Sequence, residues 1–217
     1  MRKNERERLA RRAEYLKSRP RPHKFIGETK DGRPLTQAHA DEFECDQNIA
    51  RHEAGHAVGR WIMGHKIDYM QFNAENDKGN HGDILAASTV GGERLPDIMA
   101  LPIGERTVIG LQEAFVTLAG VVGGGDASSD NPLCKWETQN HLRQAHGKLY
   151  HIAGMDDDEC RAQVARLLGV VAACFRHPVL QNMVTILAIT LVKARRLEGN
   201  AIVKILNDAY AHGGSTP

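Results

Sequence analysis

Residues 46–62 read DQNIARHEAGHAVGRWI, and the rest of the chain is best interpreted outward from this segment. Ile49, His52 and His56 recur at three- and four-residue intervals, as in a helix with one face turned inward. The segment contains no proline, and Gly64 follows as a residue that would end the helix. The pattern therefore predicts a helix that carries two histidines on one face.

His52 and His56 have the spacing of two metal ligands. Residues four apart lie on the same helix face, about 6 Å apart along the axis, so their imidazoles can converge on one ion. A catalytic zinc site uses three protein ligands and keeps a fourth position for water. Glu53 directly follows the first histidine, where its carboxylate can take a proton from a metal-activated water as general base. The pattern H-E-x-x-H thus predicts zinc-dependent hydrolysis of peptide bonds.

The remaining chain predicts a mainly α (α+β) fold, in which helices are joined by a small β-sheet element. Alternation in residues 67–72 and a short apolar run in residues 82–87 predict two strands. Glycines 123–125 end a helix, and a loop is expected over residues 126–133. Further spacing and capping signals predict helices at residues 106–122, 137–152, 156–176, 178–195 and 199–210.

Composition is typical of a globular protein, because 41% of the 217 residues are hydrophobic and 25% are charged. The formal net charge of +1 gives no general electrostatic reason to expect nucleic acid as a partner.

The N-terminus is nevertheless basic, so residues 1–45 are interpreted as a basic, partly flexible extension. Residues 1–18 favour an exposed helix, either a solvated arm or a docking element for nucleic acid or an acidic partner. Residues 211–217 are expected to form a flexible tail.

The four cysteines, Cys45, Cys134, Cys160 and Cys174, are widely spaced and form no C-x-x-C pair. With no recognisable secretory leader, they indicate reduced thiols and a cytoplasmic protein. The longest apolar stretches fall short of about 18 to 20 residues, so no membrane span is predicted.

The string HEAGHA at residues 52–57 resembles the metal-binding helix of the FtsH family of ATP-dependent zinc metalloproteases. Residues 116–120, VTLAG, look like the family's helix that ends in Leu-Gly-Gly, and residues 140–145, NHLRQA, resemble its Asn-Asp-Leu-Glu-Arg-Ala segment. The resemblance covers residues 46–210 and implies an FtsH-like zinc metallopeptidase domain there. It also implies a metalloendopeptidase with polypeptide substrates.

The resemblance implies a third zinc ligand at His141, which matches the position of the aspartate in the family's Asn-Asp-Leu. Histidine is itself a good zinc ligand, so the site would contain His52, His56 and His141. A neutral ligand in place of a carboxylate would leave the ion more electrophilic. Asp130, which resembles a Ser-Asp in some relatives, and Glu137 are the alternatives for this position.

The chain departs from the family in lacking a G-x-x-x-x-G-K-[ST] phosphate loop, so it is expected to have no ATPase activity of its own. Substrates would be small or already unfolded, or a separate ATPase or oligomeric partner would deliver them. By the resemblance, residues 81–87 would form the strand edge that pairs with extended substrate. A catalytically inactive binding module or adaptor is the alternative function, although the intact Glu53 favours the enzyme.

Overall fold

The structure is a computed structural model that describes residues 25–28, 34–36, 46–72, 88–91 and 98–213. Its internal contacts divide the chain into two compact units, residues 1–42 and 43–217. In the first unit, β1 (Phe25–Glu28) and β2 (Pro34–Thr36) pair antiparallel, which the sequence did not predict. The helix expected at residues 1–18 lies outside the described residues.

The described residues of the second unit form six helices and a three-stranded antiparallel sheet of order β4-β3-β5. The mainly α fold with a small β element is therefore confirmed. In chain order the elements are α1 (Asp46–Ile62), β3 (Tyr69–Phe72), β4 (Ser88–Gly91), α2 (Ile103–Gly124), α3 (Pro132–Lys148), α4 (Asp157–Phe175), α5 (Pro178–Ala194), β5 (Arg196–Glu198) and α6 (Gly199–Gly213). A 3-10 turn at Asp126–Ser128 precedes α3, and a π-helical turn at Leu149–Ala153 follows it.

Helices α1 and α2 pack closely at the centre of the second unit, because small residues line their contact. A Cβ atom added at Gly55 would stand 2.4 Å from the carbonyl oxygen of Ala119, and one at Gly59 would stand 2.6 Å from the Cβ of Ala119. Such distances leave no room for a larger side chain. The close approach brings the histidine face of α1 against the backbone of α2.

Around this pair, α5 packs on α1, while α3 and α4 pack on α2. The core continues through apolar side chains of α5 and α6, among them Met183, Leu187, Ile202 and Leu206, all fully buried. An ion pair between Arg195 and Asp46, with 2.6 Å from Nη1 to Oδ2, joins the end of α5 to the start of α1. Helix α1 is thus held by α2 on one side and by α5 on the other.

Helix α2 is long and apolar enough to cross a membrane by length and composition alone. In this fold 56% of its apolar window is buried inside the protein. Helices α4 and α5, bent by 83° at their junction, pass the same test as a pair.

The start of α3 differs from the sequence prediction, which placed a loop over residues 126–133. The helix begins at Pro132 because the Asn131 side chain accepts a hydrogen bond from the backbone N–H of Leu133 at 3.0 Å. Asparagine at the cap and proline in the first turn are both favourable at a helix N-terminus. The helix therefore starts at Pro132 rather than at residue 137, the predicted start.

Strand β5 and the end of helix α6 also differ from the sequence prediction. Strand β5 was not predicted; it pairs with β3, and the N–H of Gly199 donates to the carbonyl of Asp68 at 2.8 Å. Helix α6 extends to Gly213, three residues beyond its predicted end at residue 210. The strand predicted at residues 82–87 lies outside the described residues, and the observed partner of β3 on that side is β4.

Candidate metal centre

Three histidine side chains converge where α1, α2 and α3 meet. The Nε2 atom of His56 lies 3.1 Å from Nε2 of His52 and 3.3 Å from Nε2 of His141. One ligand atom from each of the three residues lies within 4.8 Å of the others. The cluster is close enough to bind one metal ion.

Helix α1 supplies two of these ligands, and α3 supplies the third from 85 residues further along the chain. His52 and His56 stand one turn apart, with ring centroids 4.8 Å apart and ring planes at 78°. His141 completes the triangle, its ring centroid 4.8 Å from that of His52 and 5.3 Å from that of His56. Helix α2 lies against both α1 and α3, and it thereby sets the distance between the two sources of ligands.

The second ring nitrogen of each histidine faces an oxygen atom. Nδ1 of His52 lies 2.7 Å from Oδ2 of Asp126, and Nδ1 of His56 lies 2.8 Å from the carbonyl oxygen of Val116. Nδ1 of His141 lies 3.1 Å from the carbonyl oxygen of Glu137 and 3.0 Å from its Oε1. Carbonyl and carboxylate oxygens only accept hydrogen bonds, so this network assigns a proton to each Nδ1.

With the protons on Nδ1, each neutral imidazole turns the lone pair of Nε2 toward the other two. Facing lone pairs repel one another unless a proton or a metal cation lies between them. Nitrogens bound at about 2.05 Å to a tetrahedral ion stand about 3.3 Å apart. Two of the three separations, 3.1 and 3.3 Å, agree with that value, and all three ligand atoms lie within 4.8 Å of one another. An outward N–H on each ligand, donated to a carboxylate or carbonyl, is also the usual surrounding of metal-bound histidine.

Glycine at position 120 makes the His56 position possible. A Cβ atom added there would stand 2.3 Å from both Cε1 and Nε2 of His56. Residue 120 also lies one helical turn after Val116, whose carbonyl oxygen accepts from His56. The missing side chain therefore leaves room for the imidazole and keeps this carbonyl accessible within a helix.

The end of α2 places Asp126 beside His52. Gly125 has φ 94°, a left-handed conformation that costs glycine little, and it ends the helix and turns the chain into the 3-10 segment. The carboxylate of Asp126 is 8% exposed and reaches Nδ1 of His52. Gly124 is equally constrained, since a Cβ atom there would lie 2.9 Å from Cα of His52.

The electrostatic environment differs between the two histidines of α1. Burial lowers the pKa of His52, but the hydrogen bond with Asp126 and the charges of Glu53, Asp126 and Glu137 raise it above its usual value. Burial, together with repulsion from His52 and His141, lowers the pKa of His56 well below its usual value. His56 is therefore neutral near pH 7, the form in which imidazole binds a metal.

The other residues considered from the sequence occupy different environments. Glu53 is partly buried beside the cluster, and its charge acts on His52. The Asp130 side chain is fully exposed and pairs with Lys135 at 3.2 Å. Glu137 is buried, 5% exposed, but its Oε1 faces Nδ1 of His141 on the side away from the converging Nε2 atoms. The structure thus brings His52, His56 and His141 together, and Asp130 does not join them.

The residues that orient the histidines were missed in the sequence analysis. Glu137 was considered only as a ligand, although its spacing of four residues from His141 on one helix indicates a side-chain pair. Asp126 gave no comparable signal, because its approach to His52 depends on the left-handed turn at Gly125. Val116 contributes a backbone oxygen, which no sequence pattern encodes.

No protein-family model and no curated protein sequence matches this chain. The resemblance to the FtsH family therefore remains a prediction that rests on the motifs quoted above. The candidate metal centre rests on the geometry of the three histidines.

Proposed function

We propose that the chain is a zinc-dependent metalloendopeptidase. The observation that carries the proposal is the convergence of three Nε2 atoms beside Glu53, on a helix with the sequence H-E-x-x-H. Three imidazole ligands with one open position form one of the known arrangements of catalytic zinc. The adjacent glutamate is the group that a zinc peptidase requires as general base.

The charge of the site favours a divalent cation. Asp126 and Glu137 are 8% and 5% exposed, and each approaches a histidine of the cluster. Buried carboxylates are costly unless positive charge lies nearby. Three neutral imidazoles contribute no charge, whereas a divalent ion among them would balance both carboxylates.

The ligand set also narrows the choice of metal. Imidazole suits zinc, copper, iron and nickel, whereas calcium and magnesium prefer oxygen ligands. The two Nε2 separations of 3.1 and 3.3 Å are compatible with a tetrahedral ion, the geometry that zinc commonly adopts in proteins. Together with Glu53, these features favour zinc in a hydrolytic role.

In the proposed reaction, bound zinc would supply Lewis acidity, which lowers the pKa of water to about 7 and polarises a carbonyl. Glu53 removes the proton from the attacking water and then donates it to the amine that leaves. It follows His52 directly and precedes His56 by three residues, so it borders the histidine face of α1. Asp126 holds the His52 ring in the orientation that the site needs.

Polypeptides are the proposed substrates. The chain would hydrolyse small or unfolded polypeptides, or receive substrates from a separate ATPase or oligomeric partner. The edge predicted to pair with extended substrate, residues 81–87, lies outside the described residues.

Metal analysis combined with cleavage of casein or a labelled peptide tests the proposal. Wild type is expected to hold one zinc ion and to cleave, with loss of activity on chelation and recovery with zinc. Glu53→Gln should keep the zinc and lose cleavage, because only the general base is removed. Asp130→Ala is the matched control and should retain both zinc and activity. A wild type without zinc, or Glu53→Gln that cleaves as fast as wild type, would overturn the proposal.

The alternative from the sequence, an inactive binding module or adaptor, was motivated by the departure at the third ligand. His141 stands beside the other two histidines, so a missing third ligand no longer favours this reading. The same assay separates the two functions, because an adaptor would show no cleavage even when saturated with zinc.

A further inference from the structure

The Glu137 carboxylate lies directly behind the third histidine. Its Oε1 is 3.0 Å from Nδ1 of His141, and the backbone carbonyl of the same residue is 3.1 Å from that nitrogen. Both residues are nearly inaccessible, at 5% and 6% exposure. The two side chains form an i, i+4 pair on α3 that faces the metal site.

The second carboxylate oxygen of Glu137 makes this pair unusual. Oε2 is buried and has no hydrogen-bond partner among the residues that the structure describes. An unsatisfied buried carboxylate oxygen costs free energy, and such a group in a folded protein requires an explanation. Stability of α3 does not supply one, because the Nδ1–H of His141 already has the backbone carbonyl as an acceptor.

A cation in the adjacent cluster does supply an explanation. A carboxylate behind a metal-bound imidazole fixes the orientation of the ring and makes its free nitrogen a stronger donor. The same negative charge offsets part of the positive charge of a divalent ion.

We propose that Glu137 is a positioning residue that acts through His141 and sets the affinity of the site for its metal. This inference rests on the proposed zinc centre. In the resemblance described above, the third ligand of the FtsH family is a carboxylate. Here the carboxylate of Glu137 lies behind His141, against its Nδ1 atom. It therefore acts on the ion through the imidazole ring.

Glu137→Gln separates charge from shape, because glutamine has nearly the same size and keeps an oxygen that can accept from Nδ1. Zinc affinity, measured by competition with a chelator of known affinity, is expected to fall about 10- to 100-fold. Asp130→Asn removes one carboxylate just before the same helix and should leave the affinity unchanged. The melting temperature of zinc-free Glu137→Gln should equal or exceed that of zinc-free wild type, because a buried unpaired charge has been removed.

A double-mutant cycle with His141→Ala then tests whether the effect passes through His141. In the His141→Ala background, Glu137→Gln should cause no further loss of zinc affinity. An equal loss in both backgrounds would overturn the inference, as would a Glu137→Gln protein that binds zinc as wild type does. If Glu137→Gln binds zinc as wild type does, and wild type holds zinc and cleaves normally, only the role of Glu137 fails. The proposed function then stands. A wild type without bound zinc would overturn both.

Discussion

The imidazole ring of His56 lies against Gly120, so closely that a Cβ atom at residue 120 would stand 2.3 Å from Nε2. Two helices distant in sequence are therefore fitted to each other around one histidine of the cluster. The hydrogen bond from His56 Nδ1 to the carbonyl of Val116 depends on the same close approach. The geometry of the site is built into the packing of α1 on α2.

Gly120→Ala is expected to disrupt metal binding, because the added methyl group would displace the His56 ring. Zinc affinity, measured by chelator competition, should fall at least about 10-fold, and the melting temperature should drop with it. Gly169→Ala is the matched control: residue 169 lies within α4, and an added Cβ meets nothing within 4 Å. The control should bind zinc normally and gain up to about 1 kcal/mol of stability. Normal zinc affinity in Gly120→Ala would contradict the fit described here.

Asp126→Asn is expected to weaken zinc binding about 10- to 100-fold, because the carboxylate orients His52 and supplies charge behind it. Isothermal titration or chelator competition measures the effect. The variant keeps an oxygen that can accept from Nδ1, so its fold should be retained, as circular dichroism would show. An affinity equal to that of wild type would mean that the 2.7 Å contact has no influence on the metal.

Helix α1 could be predicted from the sequence because its signals are local. The spacing of His52 and His56, with no proline nearby, predicted α1 with the bounds that the structure has. His141 is different, since no spacing joins it to α1, and only the resemblance to the FtsH family pointed to it. Strand β5 has three residues, too few for a recognisable alternation, and its existence depends on pairing with β3.

The partly buried carboxyl group of Glu113 on α2 gives the stability of the protein a predicted pH dependence. Burial alone raises the pKa of Glu113, but the ammonium of Lys148, 2.7 Å away, and the nearby Arg60 and His65 lower it below its usual value. A carboxyl group whose pKa is lower in the folded protein adds stability above its unfolded pKa, and loses it as the pH falls through the folded value. Lys148→Met should therefore destabilise the protein on the order of 1 kcal/mol at pH 7.

Denaturant unfolding of wild type and Lys148→Met between pH 7 and pH 3 checks this expectation. The difference in the free energy of unfolding should shrink as the pH falls, because protonated Glu113 no longer attracts Lys148. Lys204→Met, which removes an exposed pair with Asp208, is the control and should change stability by less than about 0.5 kcal/mol at any pH. A difference between wild type and Lys148→Met that stays constant down to pH 3 would contradict the assignment.

Zinc is expected to stabilise the fold as well as to serve the reaction. Its ligands come from two helices, α1 and α3, so the ion binds the folded chain far better than the unfolded one. Free zinc at about 1,000 times its dissociation constant should add about 4 kcal/mol to the free energy of unfolding. Thermal melts with zinc and with chelator measure this shift, and His52→Ala should abolish most of it. A wild-type melting temperature that is the same with zinc and with chelator would count against the site.

X-ray absorption spectroscopy of the zinc-loaded protein tests the central claim most directly, because it reports the atoms bound to the metal. The account predicts a four-coordinate ion with three imidazole nitrogens at about 2.0 to 2.1 Å and one further light atom. His141→Ala should lose one of the three imidazoles, whereas Asp130→Ala should give the spectrum of wild type. A sulfur ligand at about 2.3 Å, or fewer than three imidazoles in wild type, would contradict a centre built from His52, His56 and His141.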